Sequence, residues 1–346
     1  MSPTATVRVM SPEEITARAG GQTPYLHLPQ RGSVFAERAM RLRQLTPGHA
    51  MEDFLRFMAD LALAQQRQLT ALDGSGRLPG PDAAALDLAA RRGLPPLPAA
   101  DSPRDAAWQG VLQALVADLS ASAPPGVQPV LARLAGADAD FLERQADALL
   151  HGVPARLDLA CAPLLAAALQ VCFTHQMLQT QQHAGSGQPF GRLDDPTRCP
   201  CCGSLPVASI TRTAGDAPGQ RYLHCGLCNL QWHMVRIQCA HCLSTQSLAY
   251  QSLDTAGPDG QGEEGAGSSR AAQAVLQAET CDDCGHYLKI MHSDRDPFVD
   301  PVADDLASLT LDLLVSDTGL ARHGVNLLLL FGEPDPGGAP PDPGGA

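Results

Sequence analysis

Apolar positions recur at helical spacing over the first half of the chain. Phe35, Ala39 and Leu42 fall at i, i+4 and i+7 behind Ser33, a residue suited to cap a helix N-terminus. Pro47-Gly48 ends that helix. A second covers Met51 to Leu69, with Phe54, Leu55, Met58, Leu61 and Ala62 on one face and Glu52, Asp53, Arg56 and Gln66 on the other. The pattern predicts further helices at Ala83 to Arg92, Ala106 to Ser120 and Ala137 to Leu150, separated by the Pro-rich segments Leu94 to Pro98 and Pro124 to Pro129. The last, at 157–183, is apolar on most sides. Asp158, Pro163, Gln170, Thr174, His175 and Gln176 make it a poor bilayer span and a good buried helix. These elements predict a helical domain over 31–185, preceded by an irregular segment over 1–30 that is broken by Gly20, Gly21, Pro24 and Pro29.

After the linker at Ala184-Gly-Ser-Gly-Gln-Pro the pattern changes. Short β-prone runs appear at Val207 to Thr213, Arg221 to His224, Gln231 to Arg236, Ser247 to Gln251 and Tyr287 to Met291. A Gly-rich stretch, Gly257 to Ser269, reads as a mobile loop, and 332–346 as a disordered tail. Between them, Asp300 as N-cap and Pro301 in the first turn predict an amphipathic helix with Val302, Leu306, Leu309 and Leu313 in one stripe. Asp304 and Asp305 are read there as solvated or capping acids, since neighbours on a helix do not face each other.

Composition sharpens this picture. Of the 346 residues, 44% are hydrophobic but only 4% aromatic, so Ala and Leu must fill the core, which favours helices. A net charge of −13 argues against a phosphate-binding surface. The start, MSPTATVRVMSPEEIT, lacks the basic and apolar regions of a secretory signal, so a cytoplasmic location with reduced thiols is expected.

The β-prone half carries the candidate chemistry. Eight of the eleven cysteines form four Cys-x-x-Cys pairs: Cys199/Cys202, Cys225/Cys228, Cys239/Cys242 and Cys281/Cys284. Two residues between cysteines let a tight turn aim both sulfurs at one ion, and two such knuckles close a tetrahedral thiolate shell around Zn²⁺ or Fe. Eight sulfurs make two shells. Closure in sequence order gives one module at 190–236 and a second at 237–331, each a rubredoxin-like or zinc-ribbon unit. A cross-braced pairing, first knuckle with third, satisfies the same spacings. Cys201, inside the first knuckle, reads as a spectator thiol, Cys161 and Cys172 as core residues, and His224, His233, His241 and His286 as groups around the shells rather than ligands. Closed shells leave no position for substrate, and the chain has no nucleophile–base set or Gly-rich phosphate loop. The expected protein is therefore multidomain and not an enzyme: an all-α N-terminal domain, two small four-cysteine modules and a C-terminal helix.

Several blocks resemble the formate dehydrogenase accessory protein (FdhE) family. They are Phe35-Ala-Glu-Arg-Ala, Phe54-Leu-Arg-Phe-Met-Ala-Asp-Leu-Ala, Cys199-Pro-Cys-Cys-Gly-Ser, Tyr222-Leu-His-Cys-Gly-Leu-Cys, Trp232-His-Met-Val-Arg-Ile-Gln-Cys-Ala-His-Cys, Cys281-Asp-Asp-Cys-Gly-His-Tyr-Leu-Lys-Ile and the run from Asp300 to Leu314. The resemblance implies a cytoplasmic accessory factor that contacts the immature catalytic subunit of respiratory formate dehydrogenase and is needed for its activity. It also implies iron on Cys199, Cys202, Cys225, Cys228, Cys239, Cys242, Cys281 and Cys284, where spacing alone admits zinc equally. Cys201 departs from the family pattern. The alternatives are a zinc-ribbon protein of nucleic-acid or transcription complexes, opposed by the charge, and a rubredoxin-like electron carrier.

Overall fold

The computed structural model describes residues 24–100, 102–185, 187–214, 217–253 and 273–330. The Gly257–Ser269 loop, the 332–346 tail and most of the N-terminal segment lie outside them. The helical half comprises α1 (Val34–Leu45), α2 (Glu52–Leu72), α3 (Ala83–Arg92), α4 (Ala107–Ser120), α5 (Gln128–Ala135), α6 (Ala139–Leu150) and α7 (Ala162–Ala184). Its centre is α7, buried almost continuously from Ala162 to His175 and packed against α2, α4 and α6. A helix apolar all round belongs in a core. No helix among the described residues is long and apolar enough to cross a membrane.

Two local expectations change. Pro124 to Pro129, read as a separator, contains the start of α5, because Pro129 sits in the first helical turn, where no backbone N–H is required. Ser33 occupies the N-cap of α1 without a side-chain hydrogen bond. Gln66 of α2 does the capping instead: its Oε1 accepts from the N–H groups of Phe35 (3.1 Å) and Ala36 (3.3 Å). A residue assigned to a solvated face thus satisfies a neighbouring helix's free donors.

The second half forms one mixed sheet of β1 (Leu26–His27), β2 (Pro206–Ala214), β3 (Ala217–Cys225), β4 (Gln231–His233), β5 (Leu248–Gln251), β6 (Leu276–Cys281), β7 (His286–His292) and β8 (Ala321–Arg322), in the order β1-β4-β3-β2-β7-β6-β5, with β8 also on β7. Each knuckle pair has its own antiparallel strands, but parallel pairing of β2 with β7, Ser209 opposite Ile290 and Thr211 opposite His292, fuses the two sets. The N-terminal segment is not wholly irregular either, since Leu26 and His27 pair with Trp232 and Gln231. The seam is also ionic. Arg221 on β3 reaches Glu279 on β6 at 2.7 Å, both side chains essentially inaccessible to solvent. The same guanidinium donates to the Gln238 carbonyl (2.6 Å), next to the third knuckle.

The C-terminal helix is two short ones, α8 (Pro301–Leu306) and α9 (Leu309–Ser316). Lys289 of β7 donates to the carbonyls of Asp305 and Ser308 at the break. The turn leaves Leu313 exposed, out of line with Val302 and Leu306. Asp304 and Asp305 are buried and paired rather than solvated. Asp304 takes Arg41 of α1 in a bidentate contact and also accepts from the Asp300 N–H. Asp305 pairs with Lys289 (3.1 Å) and Arg322 (2.7 Å), which hold its carboxyl below its ordinary value against the opposing effect of burial. Buried charges persist only when paired in this way.

Arg38 of α1 joins the halves. It is fully buried, with Nε 3.1 Å from Asp300 Oδ1 and Nη2 2.7 Å from Asn229 Oδ1. Arg38→Ala leaves a partly buried carboxylate and a buried amide without this donor and should destabilise the fold by about 2 kcal/mol, read as a lower urea midpoint. Two buried histidines set an acid limit. Burial pushes His175 and His292 each down to about 4, and each donates through Nε2 to a fixed oxygen, the Arg77 carbonyl or Gln277 Oε1. Unfolding frees them to protonate near 6.5, so the unfolded chain binds more protons between about pH 4 and 6.5. The urea midpoint should therefore hold above pH 6.5 and decline progressively towards pH 4.

Candidate metal centres

Each Cys-x-x-Cys sits on a turn whose last residue is left-handed. Gly203, Asn229, Leu243 and Gly285, each directly after the second cysteine of a pair, have φ of +73°, +61°, +64° and +67°. Glycine adopts that region freely, asparagine tolerates it, and leucine rarely does. The turns close by backbone bonds such as Gly203 N–H to the Cys199 carbonyl (2.8 Å) and Gly285 N–H to the Cys281 carbonyl (2.9 Å). Within them, N–H groups point at sulfur: Leu227 and Cys228 at Cys225 Sγ (3.4 Å each), and His241 at Cys239 Sγ (3.3 Å). The second and fourth pairs occupy the β3–β4 and β6–β7 hairpin turns, so the sheet dictates where their sulfurs lie.

The predicted residues come together as two groups of four, Cys199/Cys202/Cys225/Cys228 and Cys239/Cys242/Cys281/Cys284. This is the sequential pairing, and it excludes the cross-braced one. Sulfur separations are 3.5 Å (Cys199–Cys228), 3.4 Å (Cys202–Cys225), 3.7 Å (Cys239–Cys284) and 3.7 Å (Cys242–Cys281). Metal–sulfur bonds of about 2.3 Å in a tetrahedron place sulfurs about 3.8 Å apart, so both groups could hold one ion each with little adjustment.

The electrostatics agree with a cation. In the first group burial pushes Cys199 and Cys228 well above the ordinary thiol value. Cys202 goes the other way, held well down against burial by hydrogen bonds from Cys199, Cys225 and Cys228. Without a counter-charge, burial and crowding thus oppose ionisation of Cys199 and Cys228 beside Cys202. A dication supplies that counter-charge, which is why ion binding to such groups releases protons. In the second group, Cys242 is exposed and Cys284 half-buried.

Cys201 stays outside the first foursome. Burial raises its thiol to about 11, and its carbonyl accepts from Leu97 N–H (3.0 Å), while the Cys202 carbonyl accepts from Ala99 N–H (3.0 Å). The Pro-rich connector thus lies along the first knuckle. Cys161 and Cys172 are buried in the helical core as expected.

Several residues that position the centres went unrecognised in the sequence. Gln170 Nε2 donates to the Gly226 carbonyl (2.8 Å), and Thr174 Oγ1 accepts from Asn229 Nδ2 (2.9 Å). One turn apart on α7, they clasp the second knuckle between them. Asn229 was recoverable in principle, because it occupies the slot that glycine fills in two other pairs. His323 was not: it comes from a distant strand end to face His241 at a ring-centroid distance of 5.0 Å.

Family models covering most of the chain match in three consecutive pieces: FdhE, N-terminal, over residues 23–187; FdhE, central domain, over 198–236; and FdhE, C-terminal domain, over 237–329. A protein FdhE homolog from Pseudomonas aeruginosa is 40% identical over 324 residues, covering 94% of this chain and 98% of its own. One from Edwardsiella ictaluri is 38% identical, covering 94% and 99%. The crystal structure of the FdhE protein from Pseudomonas aeruginosa superposes with a TM-score of 0.76 at 39% identity, covering 89% of this chain and all of that one. With three family models in register along the chain, relatives matched nearly end to end and the same fold in a solved structure, the chain belongs to the FdhE family.

Proposed function

We propose that this protein is a cytoplasmic, non-enzymatic accessory factor for formate dehydrogenase, which binds the immature catalytic subunit and is required for its activity. The observation that carries this reading is the closure of both four-cysteine groups within the fold of this family: every corner of each tetrahedron is a protein sulfur. A centre without an open position serves structure or electron storage rather than substrate chemistry.

In this reading Cys199, Cys202, Cys225 and Cys228 hold one ion, and Cys239, Cys242, Cys281 and Cys284 hold the other, with iron favoured over zinc. The helical unit at 31–185 buttresses the module at 190–236, and the module at 237–331 carries the more exposed centre. The residues' task is to present a recognition surface whose shape depends on the sulfurs being drawn together. An electron-carrier role and a nucleic-acid role remain the competing readings, and the net charge of −13 opposes the second.

Protein purified without oxygen should contain two metal ions per chain by elemental analysis, and iron would give thiolate-to-Fe(III) absorption on oxidation. Cys228→Ser should lose one ion and much of the fold's stability, because Asn229 beside it is anchored to Arg38 and α7. The tagged catalytic subunit of formate dehydrogenase should co-purify with the wild-type chain and weakly or not at all with a variant lacking all four knuckles. Equal recovery with that variant would end the metal-dependent form of this reading, and no recovery with either would end the reading itself.

A further inference from the structure

The two centres differ in their surroundings. All four cysteines of the first are buried, enclosed by α7, the 94–99 connector and the sheet. The second opens at Cys242 and Cys284, and three histidines crowd it. The rings of His241 and His286 stack with centroids 3.8 Å apart, and His323 meets His241 edge-on. His286 Nδ1 lies 2.8 Å from the Cys284 carbonyl, which can only accept. In the neutral ring this contact places the hydrogen on Nδ1 and leaves Nε2 as the ligating nitrogen. The ligand atoms of His241, Cys284 and His286 all lie within 4.8 Å of one another. Cys284 thus belongs to two potential ligand sets, one of four sulfurs and one of a sulfur with two imidazoles.

A tetrathiolate shell gives up its ion one bond at a time, and each broken bond must be replaced. In the first centre the replacement must come from a buried interior. In the second, solvent reaches the Cys242 corner, and two imidazoles, good ligands for the same ions, stand beside the Cys284 corner. The rings stack rather than converge, so capture takes a rotation of the exposed His241 and half-buried His286 side chains. We propose that the second centre is the exchangeable one of the two. His241, His286 and Cys284 form a transfer site through which a borderline or soft divalent ion enters and leaves the four-sulfur shell. The inference rests on the reading that both centres hold metal.

The experiment is chelator-driven release from the zinc-loaded full chain, followed by absorbance of the zinc–pyridylazoresorcinol complex after the bound zinc has been counted. Fewer than two zincs per chain would refute the metal reading, and this inference with it. With two bound, the ions should leave in two equal phases whose rates differ by at least about tenfold, the faster phase being absent in Cys242→Ser. The His241→Ala/His286→Ala pair should keep two zincs and slow the fast phase about tenfold, the size of effect that groups around a metal shell exert. His241→Ala alone, at an exposed position, reads the same effect if the double variant folds poorly. A common rate for both ions, a fast phase that survives Cys242→Ser, or a fast rate indifferent to the histidine changes would each overturn the proposal.

Discussion

Crowding of sulfur is the constraint from which the rest of this structure follows. Eight thiol groups are held in two clusters with contacts of 3.4–3.7 Å, and in the buried cluster Cys202 is stabilised as a thiolate by its neighbours while burial holds Cys199 and Cys228 protonated. Such a cluster is a poor arrangement for four thiols and an untenable one for four thiolates without a cation. An ion held in either cluster would couple its binding to folding of the sheet, as in small metal-stabilised domains generally. The knuckle turns, their left-handed residues and the N–H groups aimed at sulfur all serve to hold that arrangement in place.

The first cluster is not a separate bead on a string. Gln170 and Thr174 of α7 hold the second knuckle, the 94–99 connector runs along the first, and Arg38 ties Asn229 to the cap of α8. An ion held at this centre would be coupled directly to the longest helix of the core. The second cluster is coupled through a different route. Arg221 spans the seam between the two halves of the sheet to Glu279, and Lys289, Asp305 and Arg322 pin the C-terminal helices to β7. These buried charges are each paired. They fix the register of elements that the small apolar surface of a ribbon module could not fix alone.

The two clusters differ in their surroundings. One is enclosed by the helical half and acts as part of its core. The other lies at the surface, bordered by the imidazoles of His241, His286 and His323. Burial of one and exposure of the other follow from where the knuckles lie: the turn after β3 is held against α7 by Gln170 and Thr174, whereas β6 lies near the far edge of the sheet, beside β5.

The sequence by itself determined whatever depends on neighbours a few residues apart. Helical periodicity located most of the helices. Asp300 and Pro301 marked the start of α8, and the Cys-x-x-Cys spacing named all eight sulfurs, because a chelating turn is a local object. The order of the knuckles favoured sequential closure without compelling it. Tertiary structure alone decided the remainder. Fusion of two ribbon sheets through β2 and β7, pairing of Leu26 with Trp232, capping of α1 by Gln66, and burial of Asp304 and Asp305 against Arg41, Lys289 and Arg322 are contacts between residues distant in the chain. Their polar side chains read as solvent-facing by local pattern, since hydropathy records a side chain's cost in an apolar site but not whether a partner arrives there to offset it.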